Sequence, residues 1–198
     1  MIWYRKATYQ GCRLAPISAG PLEDGEAAYL CFDFVTALRL LRPLADQGSA
    51  KAQYCLGRMY GGGLGMPQDI PEAAKWDRKA ADQGFAAAQT ELGRRYHGGQ
   101  GVPQDLEEAT KWWRKAADSG NPEARYYLGR QYEQGEGVPQ DYAMAHMWFN
   151  LAAALVPKTS ADEVWVAFAR VNRDRIAAKM TPSQLEEAQK LAREWKPK

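Results

Sequence analysis

Several of the usual carriers of chemistry are scarce in this sequence. Histidine occurs only twice, as His97 and His146. Neither stands in an H-E-x-x-H arrangement or near a cysteine at metal-ligand spacing, so no metal site and no cofactor is expected. Cysteine occurs three times, an odd number that cannot close a disulfide framework. Cys12, Cys31 and Cys55 are expected to be free thiols in a reducing compartment. No serine has a lysine three residues on, and G-x-S-x-G is absent. The penicillin-recognising nucleophile pattern and the hydrolase elbow are both missing, and no catalytic residue is expected. Excess charge is missing too: 26 Lys+Arg against 24 Asp+Glu leaves a formal +2. A general nucleic-acid binder needs a basic footprint to displace counterions, so that class is excluded. No apolar run approaches the ~18–20 residues of a membrane span. Hydrophobic residues at 45% exclude global disorder. At ~100–200 residues per domain, 198 residues make one domain or one short repeat array.

What is present is repetition. Ala50–Gly57 reads AKAQYCLG, Ala86–Gly93 reads AAAQTELG and Pro122–Gly129 reads PEARYYLG, a period of 36. Tyr60, Tyr96 and Tyr132 match at that period, as do Gly63, Gly99 and Gly135. Pro-Gln-Asp recurs at 67–69, 103–105 and 139–141, followed by Trp76, Trp112 and Trp148. Asp33, Leu40, Leu44-Ala45 and Gly48 extend the pattern backwards by one unit. Ahead of Asp33 the match breaks, which a short first unit with a tighter turn would explain.

Each unit reads as two helices. The first, about Ala50 to Tyr60, places Ala52, Leu56, Met59 and Tyr60 on one side. A Gly-rich turn ends it, and Asp69 is placed to cap the second helix, with Pro71 in its first turn. That helix stops at Gly84. Gly57, Ala80 and their copies permit close approach, while Tyr60, Trp76 and their copies fill the space between pairs. A helix pair cannot bury both its apolar faces alone, so stacked units share one core. The expected fold is all-α, a right-handed α-solenoid.

Three of the seven tryptophans are this repeat position, which makes packing their role. The Gly-rich turns neither continue to G-K-[ST] nor complete G-x-G-x-x-G, so they are structural and not phosphate cradles.

The pattern A-x-x-x-L-G-x-x-Y-x-x-G-x-G-V-P-Q-D, then A-x-x-W, then A-A-x-x-G, stands here as Ala88–Asp105, Ala109–Trp112 and Ala116–Gly120. It resembles the Sel1-like repeat family, the bacterial and eukaryotic relatives of tetratricopeptide repeats. The first full unit departs from it with Met66, and the last lacks the closing glycine. The resemblance implies a non-enzymatic adaptor or scaffold binding a partner polypeptide. The alternatives it carries are an immunity protein against a secreted toxin and a β-lactam or cell-wall-related enzyme.

The organisation expected is a leader at 1–20, a partial repeat at 21–48, and repeats at 49–84, 85–120 and 121–156. Capping helices fill 157–198. In the first of these, Asp162 to Met180, the apolar residues are Val164, Trp165, Phe168 and Val171. Thr181-Pro-Ser-Gln184 is a capping box opening the second, where Leu185, Ala188, Ala192 and Trp195 form one stripe. Two helices apolar on one side and polar on the other suit the terminal cap that a solenoid needs, the alternative being a partner-binding helix pair. The leader lacks the 7–15-residue apolar stretch of a signal peptide, so the chain as written is expected in the cytoplasm. If the start is mis-called, cleavage near Ala19 would place it in the periplasm or outside the cell.

In tetratricopeptide-type solenoids the first helix of each pair lines the concave groove. Counting from the Leu-Gly pairs assigns Lys51, Tyr54 and Arg58, then Thr90, Arg94 and His97, then Tyr126 and Arg130 to that groove. Arg58, Arg94 and Arg130 form a ladder at period 36, whose other reading is solubility or pairing within the groove, for example with Glu91 or Glu133. Arginine is a bidentate donor to carboxylates, and tyrosine supplies rigid contact area. The expected partner is a protein or peptide offering an acidic or C-terminal segment, with no nucleic acid and no membrane span.

Overall fold

Aspartate at the same repeat position starts four helices. The side chains of Asp33, Asp69, Asp105 and Asp141 each accept a hydrogen bond from the backbone N–H three residues on, at 2.9–3.2 Å. This satisfies an N–H that the helix itself cannot. The glutamine before three of these aspartates closes the preceding turn. Gln68, Gln104 and Gln140 donate to the carbonyls of Gly61, His97 and Glu133 at 2.8–2.9 Å. The recurrence of Pro-Gln-Asp is therefore a loop clamp, and the Gly-rich turn is held by it.

The structure is a computed structural model and describes residues 20–197. Apart from Gly20, the expected leader at 1–20 lies outside the described residues, as do Cys12 and the site near Ala19. The chain divides into two compact units, Met1–Phe85 and Ala86–Lys198.

In the first unit, α1 (Pro21–Leu30) packs on α2 (Phe34–Asp46), and α3 (Ala50–Gly62) packs on α2 and on α4 (Ile70–Asp82). The α1–α2 turn is the tighter one expected: Asp33 follows Leu30 after Cys31 and Phe32, and Phe32 takes φ 63°. Leu41, Leu56 and Met59 are fully buried around Trp76. Arg42 lies over the Trp76 ring at 5.4 Å and donates to the Tyr60 hydroxyl at 2.9 Å.

In the second unit, α5 (Ala86–Gly98) pairs with α6 (Leu106–Asp118), and α7 (Pro122–Gln134) pairs with α8 (Tyr142–Ala153). Two periods after Arg42, Arg114 repeats its arrangement. It sits 5.5 Å over Trp148 and donates to the Tyr132 hydroxyl at 2.9 Å. The helices α9 (Ser160–Ala177) and α10 (Pro182–Glu194) follow, α9 packing on α7 and α8 and α10 on α8. Gly129 allows α7 and α8 to touch. A Cβ there would lie 2.6 Å from two ring carbons of Phe149.

Two expectations are corrected. Cys31 is disulfide-bonded, while Cys55 is the buried free thiol, pushed up to about 11 by burial and then by the Glu26 charge. An odd cysteine count excludes a closed framework but not a single bond. On α9 the buried residues are Val166, Ala169 and Ile176, whereas Val164, Phe168 and Val171 are exposed at 50%, 49% and 66%. The helix meets two neighbours, α7 and α8, and this turns its inner face away from the stripe the sequence suggests. The expected capping box does form: Thr181 and Gln184 bond each other's backbone N–H at 2.9 and 3.3 Å.

His146 lies on α8, 5% exposed, with no partner for Nδ1. Its pKa is lowered by burial first and by Arg173 second, with Asp174 opposing. The neutral ring is the form that packs. Its stabilising contribution is complete above the ordinary histidine pKa of ~6.5 and is lost as pH falls below it. Thermal unfolding followed between pH 7.5 and pH 5 should show a larger drop in Tm for the wild type than for His146→Leu. Equal drops would contradict this.

Candidate partner-binding site

The site develops from a single small residue. Gly93 on α5 has no Cβ, and the Trp113 indole of α6 occupies the space where one would be. Trp113 is 2% exposed and its Nε1 donates to the Thr90 carbonyl at 3.0 Å. On α7, Tyr127 stacks on Trp113 with centroids 4.8 Å apart and planes at 16°. Burial, and next the Glu123 charge, push the Tyr127 phenol up to about 12, so it stays protonated. The His97 ring lies 5.5 Å from Trp113.

These rings floor a pocket of about 300 Å³ whose polar lining includes Arg94, His97, Arg130, Gln134 and Glu136. His97 Nε2 and a Glu136 carboxylate oxygen are 2.9 Å apart. Arg94 donates to Glu91 at 2.7 Å. Arg130 differs. Its Nη2 reaches Gln134 Oε1 at 3.3 Å and its Nη1 reaches the Tyr126 hydroxyl at 3.5 Å. Both partners are neutral, both distances are long for charge-assisted bonds, and most of its five N–H donors remain available.

Of the eight residues counted from the Leu-Gly pairs, the structure brings Arg94, His97 and Arg130 together in this pocket. Thr90 is not on the surface. It is 2% exposed, donates to the Ala86 carbonyl at 2.9 Å and supports Trp113. Tyr126 is covered by α9, with the rings of Trp165 and Phe168 at 5.3 and 6.2 Å. Tyr54, at the same repeat position, packs on Phe85 at 5.4 Å. The position two before Leu-Gly therefore faces neighbouring elements, and the position one before it reaches the pocket as Tyr127.

Lys51 and Arg58 belong to the first unit. Lys51 pairs with Glu26 at 2.7 Å, and Arg58 donates to the hydroxyls of Tyr29 and Tyr54 at 3.0 and 3.3 Å. Trp113 and Tyr127 are not among the counted residues, yet one signal marks Trp113. It follows the repeat tryptophan directly, where the other repeats carry Asp77 and Phe149, and all three abut the repeat glycine. Among the described residues no group of His, Cys, Asp and Glu is placed to hold a metal ion. Nor is any helix among them long and apolar enough to cross a membrane.

The Sel1 repeat family model matches residues 1–12, 50–85, 86–121 and 122–156. The match at 1–12 falls in the stretch expected as leader. A Sel1 repeat protein from Oxalobacter formigenes is 34% identical with a TM-score of 0.65, over 68% of this chain and 54% of that one. A protective antigen present in uropathogenic Escherichia coli strains, displaying an SLR fold, is 31% identical with a TM-score of 0.71. That similarity covers 96% of this chain and 39% of that one. The chain thus spans about half the length of the first and two fifths of the second. Among curated proteins none matches. The all-α fold is that of an α-solenoid of repeat helix pairs, and the chain belongs to the Sel1 repeat family.

Proposed function

We propose that the chain is a non-catalytic adaptor that holds an acidic segment, or the terminal carboxylate, of a partner polypeptide in the pocket of its second unit. Arg130 is the anchor. Sel1 repeat proteins generally mediate protein–protein interaction and are generally non-catalytic scaffolds, which supports the class. The observation that carries the site is the half-buried Arg130 guanidinium, which has only neutral acceptors at 3.3 and 3.5 Å. A carboxylate would convert these into a charge-assisted, bidentate contact beside a flat aromatic floor. Arg94 supplies a second cation, already tied to Glu91 and 45% exposed, so its share is smaller.

The test uses a fluorescein-labelled hexaglutamate peptide with a free C-terminus, followed by anisotropy. Hydrogen bonds to charged groups contribute roughly 1.5–3 kcal/mol net. Arg130→Ala should therefore weaken binding about tenfold or more, since ~1.4 kcal/mol is a factor of ten. Arg58→Ala, in the first unit, should change it less than twofold. Equal affinities for wild type and Arg130→Ala would sink the reading.

A further inference from the structure

Next to the pocket, α9 presents a surface that the fold does not use. Val164, Phe168 and Val171 fall on successive turns of one side and are 50%, 49% and 66% exposed. The opposite side of the same helix already supplies Val166, Ala169 and Ile176 to the core. Single exposed apolar residues are ordinary on a protein surface. Here three lie in a row, and no charged side chain interrupts the chain from Val164 to Ala169. The row is also continuous with the pocket floor. Tyr127, stacked on Trp113, lies 5.5 Å from the Trp165 ring, and Trp165 lies 5.9 Å from Phe168. One aromatic path therefore runs from beneath the charged pocket to an exposed apolar ridge.

We propose that the ridge on α9 is the second half of the binding surface and takes apolar side chains of the same partner segment whose carboxylate meets Arg130. This rests on the reading of Arg130 given above and adds the partner's chemistry: an acidic residue followed or preceded by a pair of apolar ones. Charge draws the segment to the pocket, and burial of the ridge under apolar side chains provides contact area.

The experiment is a selection of phage-displayed dodecapeptides on the full chain, on a ridge variant (Val164→Ser, Phe168→Gln, Val171→Ser) and on Arg130→Ala. Circular dichroism melts check folding, and Val171→Ser alone serves if the triple variant unfolds. The expected wild-type consensus holds an Asp or Glu and two apolar residues. The best such peptide should bind the ridge variant at least tenfold more weakly, and peptides selected on that variant should keep only the acidic position. A wild-type consensus that is acidic alone, or a ridge variant that selects the same peptides, overturns the ridge and leaves Arg130 standing. A consensus that is apolar alone overturns the joint segment through its acidic half. No enrichment overturns the proposal, and so does concentration-dependent dimerisation that the ridge variant abolishes, because the ridge then serves a second copy of the chain.

Discussion

Trp148→Ala is expected to lower the stability of the second unit by about 3–5 kcal/mol, the range for emptying a large aromatic site in a packed core. Trp148 is 1% exposed and joins Leu128, Met147, Ala116 and Ala124 in one cluster. Trp195, just beyond α10, stands edge-on against it at 5.8 Å and 70°. The Arg125 guanidinium covers the other ring of that pair at 4.8 Å, while donating to the carbonyls of Ala117 and Leu151 at 3.1 and 2.9 Å. Removing Trp148 therefore opens a cavity and takes away the surface on which the terminal helix rests. The indole Nε1 of Trp148 has no hydrogen-bond partner, so the loss is one of packing. Urea unfolding followed by circular dichroism measures it, and Trp148→Phe should recover much of the difference. A loss below about 1 kcal/mol would contradict the role given to this ring.

Gly137→Ala is expected to cost about 2–4 kcal/mol, from two separable causes. Gly137 takes φ 70°, where a Cβ costs an L-residue roughly 1–2 kcal/mol. That Cβ would also lie 2.6 Å from Leu106 Cβ and 2.9 Å from the Leu106 carbonyl oxygen, both at the start of α6. Gly135→Ala separates the two causes. Gly135 takes φ 72°, but its nearest neighbours lie 3.3–3.4 Å away on Gln140, so mainly the conformational cost remains. The larger effect at Gly137 should extend to the pocket. Glu136 precedes it and pairs with His97, and Gln131 of the pocket lining donates to the Leu106 carbonyl at 3.4 Å. Melting curves of the two variants check the ranking, and equal losses would contradict the close-approach argument.

The fold was legible because the features that define a repeat act locally. A capping aspartate, a turn glycine and a loop glutamine each work within a few residues, so their spacing shows in one dimension. The Arg42 and Arg114 contacts were not legible in the same way. Each arginine reaches the tyrosine and tryptophan of the following repeat, across 18 residues or more, and nothing in a helix pattern marks it. The site was legible in part. Arg94, His97 and Arg130 sit one turn apart or at one repeat position, and counting brings them to one surface. Thr90 and Tyr126 were placed there by the same count, but a shift of one residue rotates a side chain by about 100° around a helix. Tyr127 rather than Tyr126 therefore stacks on Trp113. The α9 ridge was hidden for another reason: apolar residues occur on both sides of that helix, and only its neighbours α7 and α8 decide which side is covered.

The central claim is that the charge of Arg130 selects an anionic partner segment at the pocket above Trp113 and Tyr127. A charge-reversal titration tests it most directly. Wild type and Arg130→Glu are each titrated with labelled hexaglutamate and hexalysine peptides at ~0.05 M and ~0.2 M salt, which separates screened surface attraction from held contacts. The predicted result is that Arg130→Glu loses hexaglutamate binding about tenfold or more, gains affinity for hexalysine, and keeps the wild-type melting temperature. An unchanged preference for hexaglutamate in a folded Arg130→Glu chain would contradict the account.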